Sequence, residues 1–373
     1  MSYTIRLLGD DDREQAYHLS NLVFGGDLSA PMPEDPPPAG PRVGAFDERD
    51  RLVAKAFARP YDQWWGGRPV PMAGIAGVAV GPEHRGKGLV RRMMDALLET
   101  TDAPVSSLFP TAPSIYRPLD WEVAGTYDST PIPLTWLPTK ATVDVRAAED
   151  GDLPAIAALY EERGATSSGL LVREGESFPK GIKGILEIDV VTVAVEAGVL
   201  TGYASYSRGR GYVNGGPLTL WDCIVRTPDA MQSLLAGLAG WSSVVDDVRW
   251  RGSTEDLALS IKRSLPPPSK SQPWMLRVLD PVAAVAARGF APGSTSASFA
   301  MGGSGYRLEV ADGQGQLSAV PADDLPVVQP RGLALLYAGI ATGRLARNGL
   351  ADRDLPELEE AFRGPRPEIL DYF

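Results

Sequence analysis

A chain of 373 residues, with 44% hydrophobic and 22% charged residues, has room for one to three domains and the composition of a soluble globular protein. The formal net charge of −11 argues against nucleic acid, which it would repel, and favours a cationic substrate through long-range attraction. No run of about 18 apolar residues predicts a transmembrane helix, the first residues lack a secretory pattern, and the single Cys223 leaves no internal disulfide, so the expected compartment is the cytoplasm, with no membrane partner.

Residues 3–8 read as a strand, and Asp10, Asp11 and Asp12 supply N-cap and first-turn acids for a helix reaching Val23. Residues 24–42 are rich in Gly and Pro and predict a loop. Its Asp27, Glu34 and Asp35 are either ammonium-attracting groups or ordinary solvated acids. A hairpin is expected over residues 43–46 and 52–57, around Asp47-Glu48-Arg49-Asp50. Trp64 and Trp65, ahead of Gly66-Gly67, fall in a predicted loop, where they either line a substrate mouth or pack in a core.

The next run carries the chemistry. Residues 75–80 form an apolar strand pattern, Gly81-Pro82 marks a turn, and Arg85-Gly86-Lys87-Gly88 opens a helix. Leu89, Val90, Met93, Met94, Leu97 and Leu98 recur at helical spacing in that helix. A strand, a Gly-rich turn and a helix N-terminus make an anion site. Glycines let backbone N–H groups approach a phosphate, and the helix dipole favours negative charge there. Arg85 and Lys87 add positive charge, although an ordinary strand-to-helix turn has the same local pattern. A P-loop is excluded because Leu89 follows Gly88, and no G-x-G-x-x-G supports a dinucleotide fold. Residues 104–108 read as the next strand, and Ser114-Ile115-Tyr116 follow it.

A second unit begins near Ala141. Residues 143–153 echo residues 4–12 as strand, acidic cap and apolar helix, which suggests an internal duplication. Residues 220–230 parallel the strand and turn of residues 75–88, but the turn reads Thr227-Pro228-Asp229, without the glycine pair. The second copy is therefore expected to keep the fold and lack the anion site. The stretch 266–271 reads as a boundary loop. A strand and apolar helix then span residues 274–285. A hairpin turns at Asp312-Gly313, and residues 333–336 and 355–362 look helical. The expected division is residues 1–140, 141–268 and 269–373, a mixed α/β (α+β) chain.

The pattern Val78-Ala79-Val80-Gly81-Pro82-Glu83-His84-Arg85-Gly86-Lys87-Gly88-Leu89 resembles the acyl-CoA pyrophosphate loop of the GNAT acetyltransferases, with Glu83 where Gln or Arg is usual. Over nearly the whole chain the layout is similar to the Eis (enhanced intracellular survival) acetyltransferases. The residues carrying this are 78–92, Ser114-Ile115-Tyr116, 274–290, Leu336-Tyr337-Ala338-Gly339 and the ending Glu368-Ile369-Leu370-Asp371-Tyr372-Phe373. The resemblance implies tandem GNAT folds, the second degenerate, followed by a sterol-carrier-protein-like α+β domain. It implies acetyl transfer from acetyl-CoA to primary amines, including aminoglycosides, by a homo-hexamer of two trimers. Val78, Ala79, Val80, Arg85, Gly86, Lys87, Gly88, Leu89 and Val90 would hold the cofactor. Tyr116 would be the general acid for the departing thiolate, and the Phe373 carboxylate the base, returned to the first domain by the tail. Asp27, Trp64, Trp65 and Tyr372 are weaker substrate candidates. Tyr372 stands where Glu is common in the family, and residues 24–42 hold no match for a family tryptophan.

The implied chemistry needs no metal. His18 and His84 are the only histidines, which gives poor support to a Ser-His-Asp triad or a His-rich metal site. Cys223, outside the first domain, is expected to be a small apolar packing residue rather than a nucleophile. The leading expectation is an N-acetyltransferase for a cationic amine, aminoglycoside-like, polyamine or lysyl. An acyltransferase tailoring a natural product or peptide, and a protein binding an apolar ligand beside a vestigial site, are the alternatives.

Overall fold

The computed structural model describes residues 2–35, 38–209, 216–252, 259, 261 and 268–373. Pro266 and Pro267 of the expected boundary loop lie outside the described residues. The first half comprises β1 (Thr4–Leu7), α1 (Arg13–Phe24), β2 (Arg42–Phe46), β3 (Leu52–Trp65), β4 (Arg68–Val80), α2 (Leu89–Leu98), β5 (Val105–Leu108), α3 (Pro113–Tyr116) and β6 (Glu122–Pro133). The second repeats the pattern with β7 (Asp144–Ala147), α4 (Leu153–Ala165), β8 (Val190–Glu196), β9 (Val199–Ser207), β10 (Leu218–Val225), α5 (Pro228–Ala239) and β11 (Asp247–Arg251). Then follow β12 (Lys270–Val278), α6 (Pro281–Ala287), the antiparallel sheet β13 (Thr295–Met301), β14 (Ser304–Ala311) and β15 (Gln314–Val320), and helices α7 (Pro330–Tyr337), α8 (Thr342–Arg347) and α9 (Pro356–Phe362).

The duplication reaches individual side chains. Asp12 accepts from the Gly9 amide at 2.8 Å and from Arg6 at 2.7 and 2.9 Å. Asp152 accepts from the Glu149 amide at 2.8 Å and from Arg146 at 2.7 and 2.8 Å. In both halves the strand is thereby tied to the turn that starts the helix. Asp12 sits at the N-cap of α1 without capping it by its side chain, because both its oxygens serve Arg6 and Gly9.

Twelve strands form one sheet in the order β1-β2-β3-β4-β5-β12-β6-β11-β10-β9-β8-β7. The first half contributes six strands and the second five, each with one parallel pair, β4 with β5 and β10 with β11. At the centre the halves exchange partners. β6, the last strand of the first half, pairs with β11 of the second, while β12 fills the slot between β5 and β6. The strand expected to open the C-terminal unit thus closes the first half.

That insertion unifies the core. Trp65 of β3, Trp274 of β12, Tyr337 of α7 and Phe362 of α9 are all at most 1% exposed and share one apolar cluster with Ile369 and Phe373 of the C-terminal tail. Trp274→Ala is expected to lower the unfolding free energy by about 3–5 kcal/mol, the range for truncating a buried aromatic. Guanidinium unfolding would read it, and a loss below about 1 kcal/mol would contradict a core shared by all three parts.

Candidate active site

The sheet opens where β4 outruns β5. The two pair only from Met72 to Ile75 against Val105 to Leu108, yet β4 continues to Val80. A bulge sits in the unpaired part, since Phe57 faces Ala76 and Lys55 faces Ala79, leaving Gly77 and Val78 as the extra pair. Gly77 has φ +58° and the Phe57 ring occupies the place of any β-carbon there, so only glycine fits. Beyond the bulge lies a cavity of about 520 Å³ lined by Val78, Val80, the loop at residues 84–90, and Thr111, Ile115 and Tyr116. Ala79 is buried on the other side with Leu19, Phe46 and Leu52, so its side chain does not face the cavity.

The loop after β4 leaves its backbone open. Gly86 and Gly88 have φ of +72° and +71°, and a β-carbon on either would meet nothing within 4 Å. Gly88 is the N-cap of α2 and offers no capping side chain. The first intrahelical bond runs from the Arg92 amide to the Gly88 carbonyl at 3.4 Å, so the amides before Arg92 have no intrahelical acceptor. Leu89, Met93, Met94 and Leu97 are buried and pin the helix against the sheet. Arg85, Gly86, Lys87, Gly88, Leu89 and Val90 all line the cavity, with Glu83 exposed outside its lining. An open backbone cradle under a helix N-terminus fits the pyrophosphate of an acyl-CoA. The equivalent turn of the second half differs as expected. Thr227 Oγ1 accepts from the Ala230 amide at 3.1 Å, so α5 caps itself, and Ala230 is fully buried.

Tyr116 ends α3 and faces the same cavity. It is 6% exposed, and burial pushes its hydroxyl up to about 12. It is therefore a protonated donor throughout the neutral range.

The C-terminal tail docks rather than frays. Glu368 pairs with Arg163 and accepts from Ser167 Oγ at 3.1 Å, and its amide donates to the Ser168 carbonyl at 2.9 Å. Asp371 lies 3.2 Å from Arg173, which also makes two bonds to buried Asp222, at 2.5 and 2.9 Å. Burial raises the Asp371 carboxyl above its usual range, against the pull of Arg173. Phe373 is 9% exposed, its ring centred 5.1 Å from Tyr61 of β3 and 5.3 Å from Phe109, two residues before Thr111 of the same cavity as Tyr116. Tyr372 is 58% exposed and stacks on Phe109 at 4.4 Å.

Three expected contributors lie elsewhere. Trp64 and Trp65 end β3 rather than sitting in a loop, with Gly66-Gly67 as the turn into β4. Trp65 is fully buried between Trp274 and Tyr337, and Trp64 packs on Gly164 of α4 with its indole nitrogen buried. Trp65 is a core residue, Trp64 is half-buried against α4, and neither lines the cavity. Asp27 is exposed, and its carboxylate is engaged locally by the Ser29 amide and hydroxyl at 2.8 and 2.6 Å. Cys223 packs its sulfur 3.7 Å from that of Met231, and burial, aided by Asp222, pushes its thiol up to about 12, which removes the thiolate a nucleophile needs. Sequence reasoning missed Tyr61, Phe109 and Arg173, whose roles come from contacts far along the chain.

Two family models match, each described as an acetyltransferase (GNAT) domain, over residues 4–124 and 149–278. No curated protein matches the sequence. Among solved structures, a GCN5-related N-acetyltransferase from Kribbella flavida is similar with a TM-score of 0.85 and 30% identity, covering 100% of this chain and 98% of that one. A GCN5-related N-acetyltransferase from Anabaena variabilis has a TM-score of 0.84 at 22% identity, and Eis1 from Mycobacterium abscessus 0.74 at 19%, each over 100% of both chains.

Proposed function

The chain belongs to the GCN5-related N-acetyltransferase family, and from that premise we propose that its first half transfers the acetyl group of acetyl-CoA to a primary amine in the cytoplasm, in the manner of the Eis-like members. The observation that carries this reading is one cavity shared by an uncapped, glycine-flanked helix N-terminus and a buried, protonated tyrosine.

Acetyl-CoA supplies the activated thioester. The loop from Arg85 to Val90 holds its pyrophosphate, and the backbone near Val78 and Val80 orients the acyl end. An amine attacks directly, and Tyr116 donates its proton to the departing thiolate. The Phe373 carboxylate draws the substrate ammonium and passes its proton to water, supported by the docking of the Phe373 ring on the first half. The net charge of −11 favours the approach of that ammonium.

A thiol-release assay with acetyl-CoA and a panel of polyamines, aminoglycosides and lysyl peptides tests the reading. Release with at least one amine is expected, and release with none, despite CoA binding, would overturn it. Tyr116→Phe should lower kcat by roughly 10²-fold, as for loss of a positioned acid, with little change in acetyl-CoA affinity. Because the hydroxyl sits near 12, the parent rate should not fall through its ionisation at any pH below about 11. The likeness to Eis also supports a hexamer. Light scattering should give six times the 39.8 kDa chain mass, and a single chain mass would contradict it.

A further inference from the structure

A second cavity, of about 330 Å³, lies between α1 and strands β2 and β3. Its chemistry is cationic in a chain of net charge −11. Arg13, Arg42 and Lys55 all line it. Lys55 and Phe57 project from β3, opposite Gly44 and Arg42 of β2. Arg59 is two residues further along β3, and the Phe57 ring lies between two cations, 5.8 Å from Lys55 Nζ and 5.5 Å from Arg59 Cζ. Lys55 is 8% exposed, yet among the described residues no carboxylate pairs with it, nor with Arg13, Arg42 or Arg59. Arg13 donates to the backbone carbonyls of Pro33 and Asp35, at 3.4 and 2.7 Å, and Tyr17 and the exposed Asp35 complete the polar lining. Burial, reinforced by Arg42, pushes the Lys55 ammonium down to about 8. A buried cation without a counterion is costly, and a bound anion removes that cost.

This cavity adjoins the cofactor cavity. Ala16, Tyr17 and Ser20 of α1 line it, while Val23 and Phe24 of the same helix line the other. Phe57 reaches over Gly77, the neighbour of Val78. We propose that this cavity is an acceptor subsite for an anionic group, so that the amine acetylated belongs to a molecule that also carries a carboxylate or phosphate. The proposal rests on the acetyltransferase reading. It narrows the acceptors to those pairing an ammonium with an anion and disfavours plain polyamines.

Matched acceptors test it: γ-aminobutyrate, butylamine and putrescine differ only at the end remote from the reacting amine. The parent should favour γ-aminobutyrate in kcat/KM by about 10-fold or more, as for a charge-assisted contact. Lys55→Met should abolish that preference and leave acetyl-CoA affinity unchanged, and Arg42→Met should weaken it. Equal use of the three, preference for putrescine, or loss of acetyl-CoA affinity in Lys55→Met would overturn the proposal, the last by giving the cavity to the cofactor's own phosphate. A second arm is independent of turnover. Inorganic phosphate, against chloride at equal ionic strength, should slow acetic anhydride labelling of Lys55, followed by peptide mass. If no amine is turned over but phosphate protects Lys55, the anion site stands and the acetyltransferase reading falls. If phosphate gives no protection, the anion site falls.

Discussion

Gly86→Asp is expected to weaken acetyl-CoA binding by roughly 100-fold or more, about 2.8 kcal/mol, while the protein stays folded. A β-carbon at Gly86 meets nothing within 4 Å, so the new side chain points into open loop space rather than into the core. The φ of +72° costs a non-glycine residue about 1–2 kcal/mol, and Asp is among the residues that tolerate this region best. The carboxylate would stand where the pyrophosphate must lie. Two like charges about 4 Å apart near a protein surface repel by about 4 kcal/mol, which outweighs what one backbone amide returns. Asp229→Lys makes the complementary control. It places a cation in the matching turn of the second half, where Thr227 already caps the helix, and no second acetyl-CoA site should appear. Calorimetric titration reads both, and near-parent affinity in Gly86→Asp would remove the cofactor assignment.

Loss of Phe373 is expected to lower turnover by about 10²-fold or more with acetyl-CoA affinity little changed. Two contributions are separable. Phe373→Ala removes the ring that packs on Tyr61 and Phe109 but keeps a terminal carboxylate. A few residues appended after Phe373 keep the ring and turn the carboxylate into an amide. An α-carboxylate ionises at about 3.3–3.7, so it is a weak base and acts by holding the ammonium and relaying its proton as the amine attacks. If the carboxylate acts, the extension should be at least as damaging as the alanine. The rest of the tail stays anchored in either case, through Glu368 with Arg163 and Asp371 with Arg173. Parent turnover in the deletion and the extension together would mean that the carboxylate has no catalytic part.

The glycine turn and helix after β4 were readable from sequence because their determinants are local: an apolar strand, two glycines that need positive φ, and a helix with one apolar stripe. The duplication was equally readable, since each half repeats a strand, an acidic cap and an apolar helix. What failed was non-local. The expected strand stops at residue 57 and Trp64-Trp65 read as a loop, but β3 continues through Pro60, Asp62 and Gln63 to Trp65. Gln63 is fully buried because its amide donates to the Gly169 carbonyl at 2.8 Å and its oxygen accepts from Trp65 at 3.1 Å. That partner lies more than a hundred residues away, so no window around Gln63 reveals it. The same holds for β12, visible as a strand, whose slot between β5 and β6 depends on pairings with residues 105–129. Tyr116 was singled out through the family resemblance, but its burial, which sets its protonation, was not legible.

Direct passage of acetyl from acetyl-CoA to an amine, at one site in the first half, leaves the protein itself unmodified at every stage. Rapid mixing of the protein with acetyl-CoA and an accepted amine, quenched and followed by mass for protein and product together, tests it most directly. Acetylated amine is expected to form in step with free CoA thiol while the mass of the protein stays constant. A protein species that gains an acetyl group first and then yields it to the amine, or thiol release without acetylated amine, would contradict it.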